Sequence, residues 1–147
     1  MKGGAVNGYE DPIRVRTASD VSASNACSIS TAGVQVFYRD ESQGILLGAA
    51  LSKSGWSYEI VDGDRTSDNR TTGDVGFSLS ATSSGKSVYL LYDSVLTLSS
   101  SNFATQGEVR LAKRNSIFPE DWRYGTLDGP ENGVAVAGYD VSIASYG

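Results

Sequence analysis

Two tryptophans with similar sequence neighbours are the residues of this chain best suited to binding chemistry. Trp56 opens the stretch Trp-Ser-Tyr-Glu-Ile-Val-Asp-Gly, and Trp122 opens Trp-Arg-Tyr-Gly-Thr-Leu-Asp-Gly. An indole presents an apolar face and one N–H, which suits the CH-rich face of a sugar flanked by hydroxyls. The alternative is structural, because a tryptophan repeated once per unit also packs between neighbouring β units.

Aromatic and charged side chains also accompany two predicted turns. Tyr38, Arg39 and Asp40 precede one polar turn, and Tyr92 and Asp93 stand before another. Such a cluster can hydrogen-bond a ligand, and it can equally cap its own turn, since Asp closes turns by accepting nearby backbone N–H groups. We expect these five residues to be ligand contacts beside the tryptophans.

Several kinds of catalytic site are excluded by composition. The chain has no histidine, so its one cysteine, Cys27, has no imidazole to activate it. Ser-His-Asp and Cys-His nucleophilic sites and histidine-based metal sites are therefore absent. Paired carboxylates remain open to acid–base chemistry but lie in predicted turns, where acidic residues have local roles. These pairs are Asp62 with Asp64, Glu120 with Asp121, and Asp128 with Glu131. We predict that the protein is not an enzyme.

One loop carries a weak signal for calcium. Asp62, Asp64 and Asp68 supply carboxylates at short spacing, but the loop lacks the distal bidentate glutamate of an EF-hand. A solvated acidic loop is the simpler interpretation. We expect no other cofactor.

The acidic balance of the chain bears on its partners. The net charge is −5 with a pI near 4.6, whereas phosphate binding requires clustered basic residues. The short basic group Arg110, Lys113 and Arg114 is interpreted as the solvated face of a strand, so no nucleic-acid partner is expected. No run of about twenty apolar residues is present, so no membrane span is expected.

The elements that position these residues are predicted to be strands. Seventeen glycines, three prolines and many β-branched residues indicate short strands joined by tight turns. The two tryptophan stretches lie 66 residues apart, and the strands before them occur in the same order, which indicates an internal repeat. A polar excursion over Ser94–Gly107 accounts for most of the extra length of the second unit.

The predicted organisation is one all-β repeat domain, 1–147, of propeller-like four-stranded units. Two units are complete, at about 26–73 and 74–133, and a third is shared between 134–147 and 1–20. Joining the two terminal strands in one unit would hide edge strands, as closed radial β folds do.

The repeat resembles β-propeller blades of two families. Bacterial Trp/Asp-type blades are matched by Tyr92-Asp93, by Val109-Arg-Leu-Ala112 and by Trp122 with Leu127-Asp128. Fucose-specific lectins of fungi and soil bacteria are matched by Ile13-Arg14-Val15, by Tyr38-Arg39-Asp40 and by Gly55-Trp56. This second resemblance implies that Arg14 contacts the sugar. The chain departs from the lectin pattern at Gln35, where the lectins have arginine, and near Leu47, where they have glutamate.

The function expected on these grounds is non-catalytic carbohydrate binding by a secreted, lectin-like module. The alternative is a structural or self-assembling subunit, or a fragment of a larger propeller, with no small ligand. Propellers have about four to eight blades, so we expect a homo-oligomer or pairing with another propeller chain. A compact unit that is not a ring is a further alternative.

Overall fold

The computed structural model describes residues 21–30, 33–64, 70–71, 74–97, 105–115, 122–130, 137 and 140–146. Within these residues the regular structure consists of eight strands. The first four are β1 (Val21–Ser30), β2 (Gly33–Asp40), β3 (Ile45–Ser52) and β4 (Gly55–Asp62). The second four are β5 (Asp74–Ser84), β6 (Ser87–Thr97), β7 (Thr105–Arg114) and β8 (Arg123–Asp128). No helix in the described part of the chain is long and apolar enough to cross a bilayer.

The strands form two antiparallel four-stranded sheets, ordered β1-β2-β3-β4 and β5-β6-β7-β8. The all-β prediction is therefore confirmed. Each sheet is a meander in which consecutive strands are neighbours. Glycines with positive φ sit at the tight turns, including Gly44 at 65° and Gly85 at 59°, where a side chain would be strained.

The two sheets share their irregularities as well as their order. The first hairpin of each sheet has a register shift, between Val21 and Asn25 in one and between Val75 and Leu79 in the other. The last hairpin of each sheet also has one, between Leu46 and Leu47 and between Val109 and Arg110. Because bulges are specific features of a strand pair, their recurrence supports the predicted repeat.

The register corrects two details of the sequence prediction. The hairpin ends Ser30–Gly33 and Ser84–Ser87 correspond, so the first strands are offset by 54 residues, whereas aligning Ser28-Ile29-Ser30 with the similar Ser78-Leu79-Ser80 in the sequence predicts an offset of 50. The excursion predicted over Ser94–Gly107 is also shorter, because β6 and β7 stay paired out to Thr97 and Thr105. The sequence did not predict this part of the β6–β7 pairing, because a strand segment rich in serine and threonine resembles a loop in sequence.

Each sheet has two faces because strand side chains alternate. We call front the face that carries Gln35, Phe37 and Arg39 in the first sheet, and back the face that carries Val34, Val36 and Tyr38. The register aligns Tyr38 with Tyr92, so the back face of the second sheet carries Val88, Leu90 and Tyr92. The remaining back-face positions follow from the same pairings.

The core lies between the front of the first sheet and the back of the second. Phe37, Leu46 and Val61 from the first sheet meet Val88, Leu90 and Trp122 from the second. The Phe37 and Trp122 rings pack edge to face with centroids 5.9 Å apart. The sheets therefore stack front to back, as repeated layers do, rather than with like faces together.

The C-terminal segment 140–146 lies beside β5. The Val141 N–H donates to Ser78 Oγ at 3.0 Å, and the Ile143 N–H donates to Ser80 Oγ at 3.1 Å. Ala137, which precedes this segment, makes the same kind of contact as Val75 at the start of β5. The Ala137 N–H donates to the Gly107 carbonyl at 3.1 Å, and the Val75 N–H donates to the Gly44 carbonyl at 3.1 Å. Gly44 and Gly107 hold equivalent places just before Ile45 and Glu108.

Candidate functional site

A well-connected group of polar side chains lies between the two sheets, around Asp62. This carboxylate is fully buried. Its Oδ2 accepts hydrogen bonds from Tyr92 Oη at 2.6 Å and from Arg110 Nε at 3.1 Å. Its Oδ1 accepts the N–H groups of Gly63 at 2.7 Å and Thr71 at 2.8 Å. Both oxygens are thus occupied by donors of the protein itself.

The local chain geometry explains this placement of Asp62. The residue ends β4 just past a bulge, and Gly63 then turns the chain at a φ of 99°. Asp128 ends β8 past the equivalent bulge, and its Oδ1 accepts the Gly129 N–H at 2.9 Å. The repeated Asp-Gly of the sequence is therefore a self-capping strand end, and Asp62 additionally joins the two sheets.

Arg110 extends this network along β7. Its Nη1 donates to Glu108 Oε1 at 2.9 Å, and Glu108 Oε2 accepts the Thr126 hydroxyl at 3.1 Å. Burial and the charge of Asp62 raise the pKa of the Tyr92 phenol well above its usual range, so that hydroxyl stays a donor. The cluster is a chain of paired charges and satisfied donors.

A second buried cation, Arg114, lies at the other end of β7. It donates to Glu59 on β4 and to Gln35 on β2, and its guanidinium lies 4.3 Å from the Trp122 ring centroid. Burial lowers the pKa of Arg114 and raises that of Glu59, and the attraction between the two opposes both shifts. Arg114 thereby connects two strands of the first sheet to the second sheet.

A third connection joins Tyr124 of β8 to the first unit. Its hydroxyl donates to the Val61 carbonyl and accepts from Arg70 Nε at 3.1 Å. Arg70 Nη1 also donates to both Asp64 oxygens, at 3.0 and 3.1 Å. Burial raises the pKa of the Tyr124 phenol, and Arg70 opposes the increase.

The acidic loop proposed for calcium is only partly within the described residues. Asp62 and Asp64 direct their oxygens at Tyr92, Arg110 and Arg70, and Asp68 lies outside the described residues. Among the residues that the structure describes, no three or more His, Cys, Asp or Glu side chains are grouped to hold a metal ion. Calcium binding stays a prediction.

The predicted cluster at Arg39 and Asp40 is buried and makes structural contacts. Arg39 donates to Glu41 at 2.7 Å and to the Val75 carbonyl at 2.8 Å, with its guanidinium 3.8 Å from the Phe77 centroid. Asp40 Oδ1 accepts the Ser42 N–H at 3.0 Å and the Gln43 N–H at 3.2 Å, in addition to the Ser42 hydroxyl. Asp40 therefore acts as a turn cap, the local alternative recognised in the sequence.

Tyr92 and Asp93 do not flank a turn, contrary to the sequence prediction, because β6 continues past them to Thr97. Tyr92 faces the core and Asp93 the opposite side of the second sheet. Asp93 is 5% exposed, and burial, reinforced by the charge of Asp140, raises its pKa to about 6. Its Oδ1 has no hydrogen-bond partner among the described residues.

The two tryptophans occupy equivalent positions in unlike environments. Trp122 immediately precedes β8 and is 7% exposed, packed between the sheets. Trp56 lies within β4 and is half-buried on the back face of the first sheet, the face that carries Tyr38. Arg14 lies outside the described residues.

Sequence reasoning missed the arginines of β7. The basic group was interpreted as a solvated face, yet Arg110 and Arg114 are 8% and 2% exposed. The signal was their spacing, because Arg110, Ala112 and Arg114 alternate onto one strand face and Ala112 is a core residue. Their acceptors Asp62 and Glu59 come 48 and 55 residues earlier.

Chemically, the charged groups described between the sheets pair with one another, whereas Gln35 Nε2 and Ser94 Oγ are buried without a hydrogen-bond partner among the described residues. On the back face of the first sheet, Ile29 and Leu51 are exposed, whereas Leu47 is buried. Comparison of the chain with protein-family models, with curated proteins and with solved structures found no match in any of the three.

Proposed function

We propose that this chain is a self-assembling subunit made of propeller-type blades, which stack front to back around a common axis. One observation carries the proposal. Ser83 Oγ donates to the Ile29 carbonyl at 2.7 Å, and Ser145 Oγ donates to the Ser83 carbonyl at 2.7 Å. Ile29 and Ser83 occupy equivalent positions, so the same contact joins the first strand of one unit to the first strand of the next.

When units are related by rotation about a common axis, the same contact recurs between each unit and the next. β1, β5 and the segment 140–146 follow one another through equivalent contacts, as the innermost strands of successive blades do. The front-to-back stacking of the two sheets also favours further assembly. A contact between two different faces leaves one face of each kind free at the ends of the stack, and such heterologous contacts continue until a ring closes or a filament grows.

The mass of the protein in solution tests this proposal. Sedimentation velocity at increasing concentration is expected to show species heavier than the 15.5 kDa chain. Ile29→Lys, which places a charge on an exposed back-face position, is expected to shift the distribution toward the single chain, whereas Lys86→Glu on an exposed hairpin is not. A single-chain mass at every concentration contradicts the proposal.

Carbohydrate binding is the second candidate function, favoured by the half-buried indole of Trp56. A sugar could stack on an aromatic side chain at this face, and a secreted lectin-like module would use it in that way. The buried positions of Arg39, Asp40 and Tyr92 give those residues no comparable opening toward a ligand.

A glycan array separates this candidate from assembly. If Trp56 is the platform, the wild type binds specific glycans and Trp56→Ala does not, while its circular dichroism is unchanged. Trp122→Ala is the matched comparison, because loss of that buried ring is expected to weaken folding. Absence of a glycan signal with folded wild-type protein removes this candidate and leaves the assembly proposal standing.

A further inference from the structure

The outward face of the first sheet carries a group of apolar side chains that we call the back patch. Within it, Ile29 is 73% exposed and Leu51 is 39% exposed, while Cys27 is exposed and Trp56 half-buried. Cross-strand pairing places these residues on one face, since directly opposite residues of a sheet share a side. The back patch consists of Cys27, Ile29, Val34, Val36, Leu51 and Trp56.

The equivalent positions of the second sheet show how such a face is used. Val88, Leu90 and Trp122 correspond to Val34, Val36 and Trp56, and all three are buried against the front of the first sheet. The same face is thus covered in the second unit, whereas in the first unit it is exposed at Ile29 and Leu51 and buried further along, at Leu47 and Ala49. The back patch therefore matches, in kind, the surface of a sheet that has another layer in front of it.

The contacts between first strands identify the element that belongs beside β1. β5 lies beside β1 through the Ser83–Ile29 contact, and 140–146 lies beside β5 through the Ser145–Ser83 contact. Continued backward by one step, this series places a segment like 140–146 beside β1. Among the described residues β5 lies between β1 and 140–146, which favours a neighbouring segment from another molecule.

We infer that the back patch is the docking surface for a second copy of this chain, whose segment 140–146 lies along β1. This inference rests on the proposed self-assembly and specifies its surface. The contact is heterologous, because the back patch of one copy meets the C-terminal side of the next. Burial of the exposed apolar side chains of β1 and β3 supplies the driving force.

Cross-linking tests this docking directly, because Cys27 is the only cysteine and lies in the back patch. Where 140–146 lies beside β5, the Ile143 N–H meets the side chain of Ser80. Cys27 of β1 holds the position equivalent to Ile143, as Ala81 does in β5, and Ser142 holds the position equivalent to Ser80. Ser142→Cys, at an exposed position, should therefore face Cys27 of the neighbouring copy. The matched control is Lys86→Cys, which is equally exposed on the β5–β6 hairpin.

A short bismaleimide is added at a concentration where sedimentation shows assembly. The Ser142→Cys variant is expected to give several-fold more cross-linked dimer and higher species than Lys86→Cys or the wild type. Adding Cys27→Ser to the Ser142→Cys variant is expected to abolish the species larger than a dimer and to reduce the dimer to the level of the control. If oligomers form but the Ser142→Cys yield equals that of the control, the docking surface is wrong while self-assembly stands. If cross-linking stays within single chains, the occupant belongs to the same chain and the inference is overturned.

Discussion

At the scale of single residues, Asp62 does more than its sequence counterpart Asp128. Both cap a glycine N–H at a strand end, but Asp62 also binds Tyr92 and Arg110 from the other sheet. Breaking a buried charge pair by removing one partner costs far more than the pair contributes net, because the other charge stays buried.

Asp62→Asn is therefore expected to lower the free energy of unfolding by about 3 to 5 kcal/mol. Asp128→Asn, at a half-buried position, should cost about 1 kcal/mol. Equilibrium unfolding in urea measures both. Tyr92→Phe offers a milder check, since it deletes one hydrogen bond to a charged acceptor, worth roughly 1.5 to 3 kcal/mol. Equal losses for the two aspartates would show that Asp62 is only a local cap.

Asp93 predicts a specific pH dependence. Its pKa rises from 3.8 to about 6 on folding, so between these values the folded state binds the proton more tightly than the unfolded state. Stability should therefore fall as pH increases through this window, and the loss persists above it. Asp93→Asn is expected to raise the urea midpoint at pH 7.5 and to leave it nearly unchanged at pH 3.5.

Asp140→Asn is the companion variant for that measurement, because Asp140 adds to the pKa shift without being buried. It should change stability in the same direction by a smaller amount. An Asp93→Asn protein that follows the wild-type pH profile throughout would exclude this assignment.

At the scale of elements, the sequence predicts the strands but not the partners that their side chains meet in other strands. Alternation and glycine placement predict most strands, because these depend on neighbouring residues. The burial of Arg114 depends on Gln35, which lies 79 residues away, and no local pattern reports such a partner. The burial of Tyr92 could not be predicted for the same reason, because its acceptor Asp62 lies 30 residues earlier.

The tryptophan variants measure this difference between equivalent elements. Trp122→Ala leaves a cavity beside Phe37 and removes the ring next to Arg114, and should cost about 3 to 5 kcal/mol. Trp56→Ala should cost about 1 kcal/mol in the dilute single chain, because its ring is only half-buried. Urea unfolding at low protein concentration compares them. Similar costs would mean that the two rings have equivalent surroundings.

At the scale of the whole molecule, front-to-back stacking determines what the outer surfaces can do. The interface inside the chain joins the front of the first sheet to the back of the second. The other face of each sheet lies on the far side of this interface, and on the first sheet it exposes Ile29 and Leu51. Exposed strands and apolar faces are risks that proteins manage by covering them. Assembly of copies would cover these faces with contacts of the type already present inside the molecule.

The reactivity of Cys27 toward a maleimide, measured in the unmodified protein over a range of concentrations, tests this account most directly. Cys27 is exposed on the back patch of the single chain. We predict that its labelling rate falls as protein concentration rises and that Ile29→Lys restores the fast rate. A rate independent of concentration would contradict the account, because the surface on which copies are proposed to meet would then be equally open in all of them.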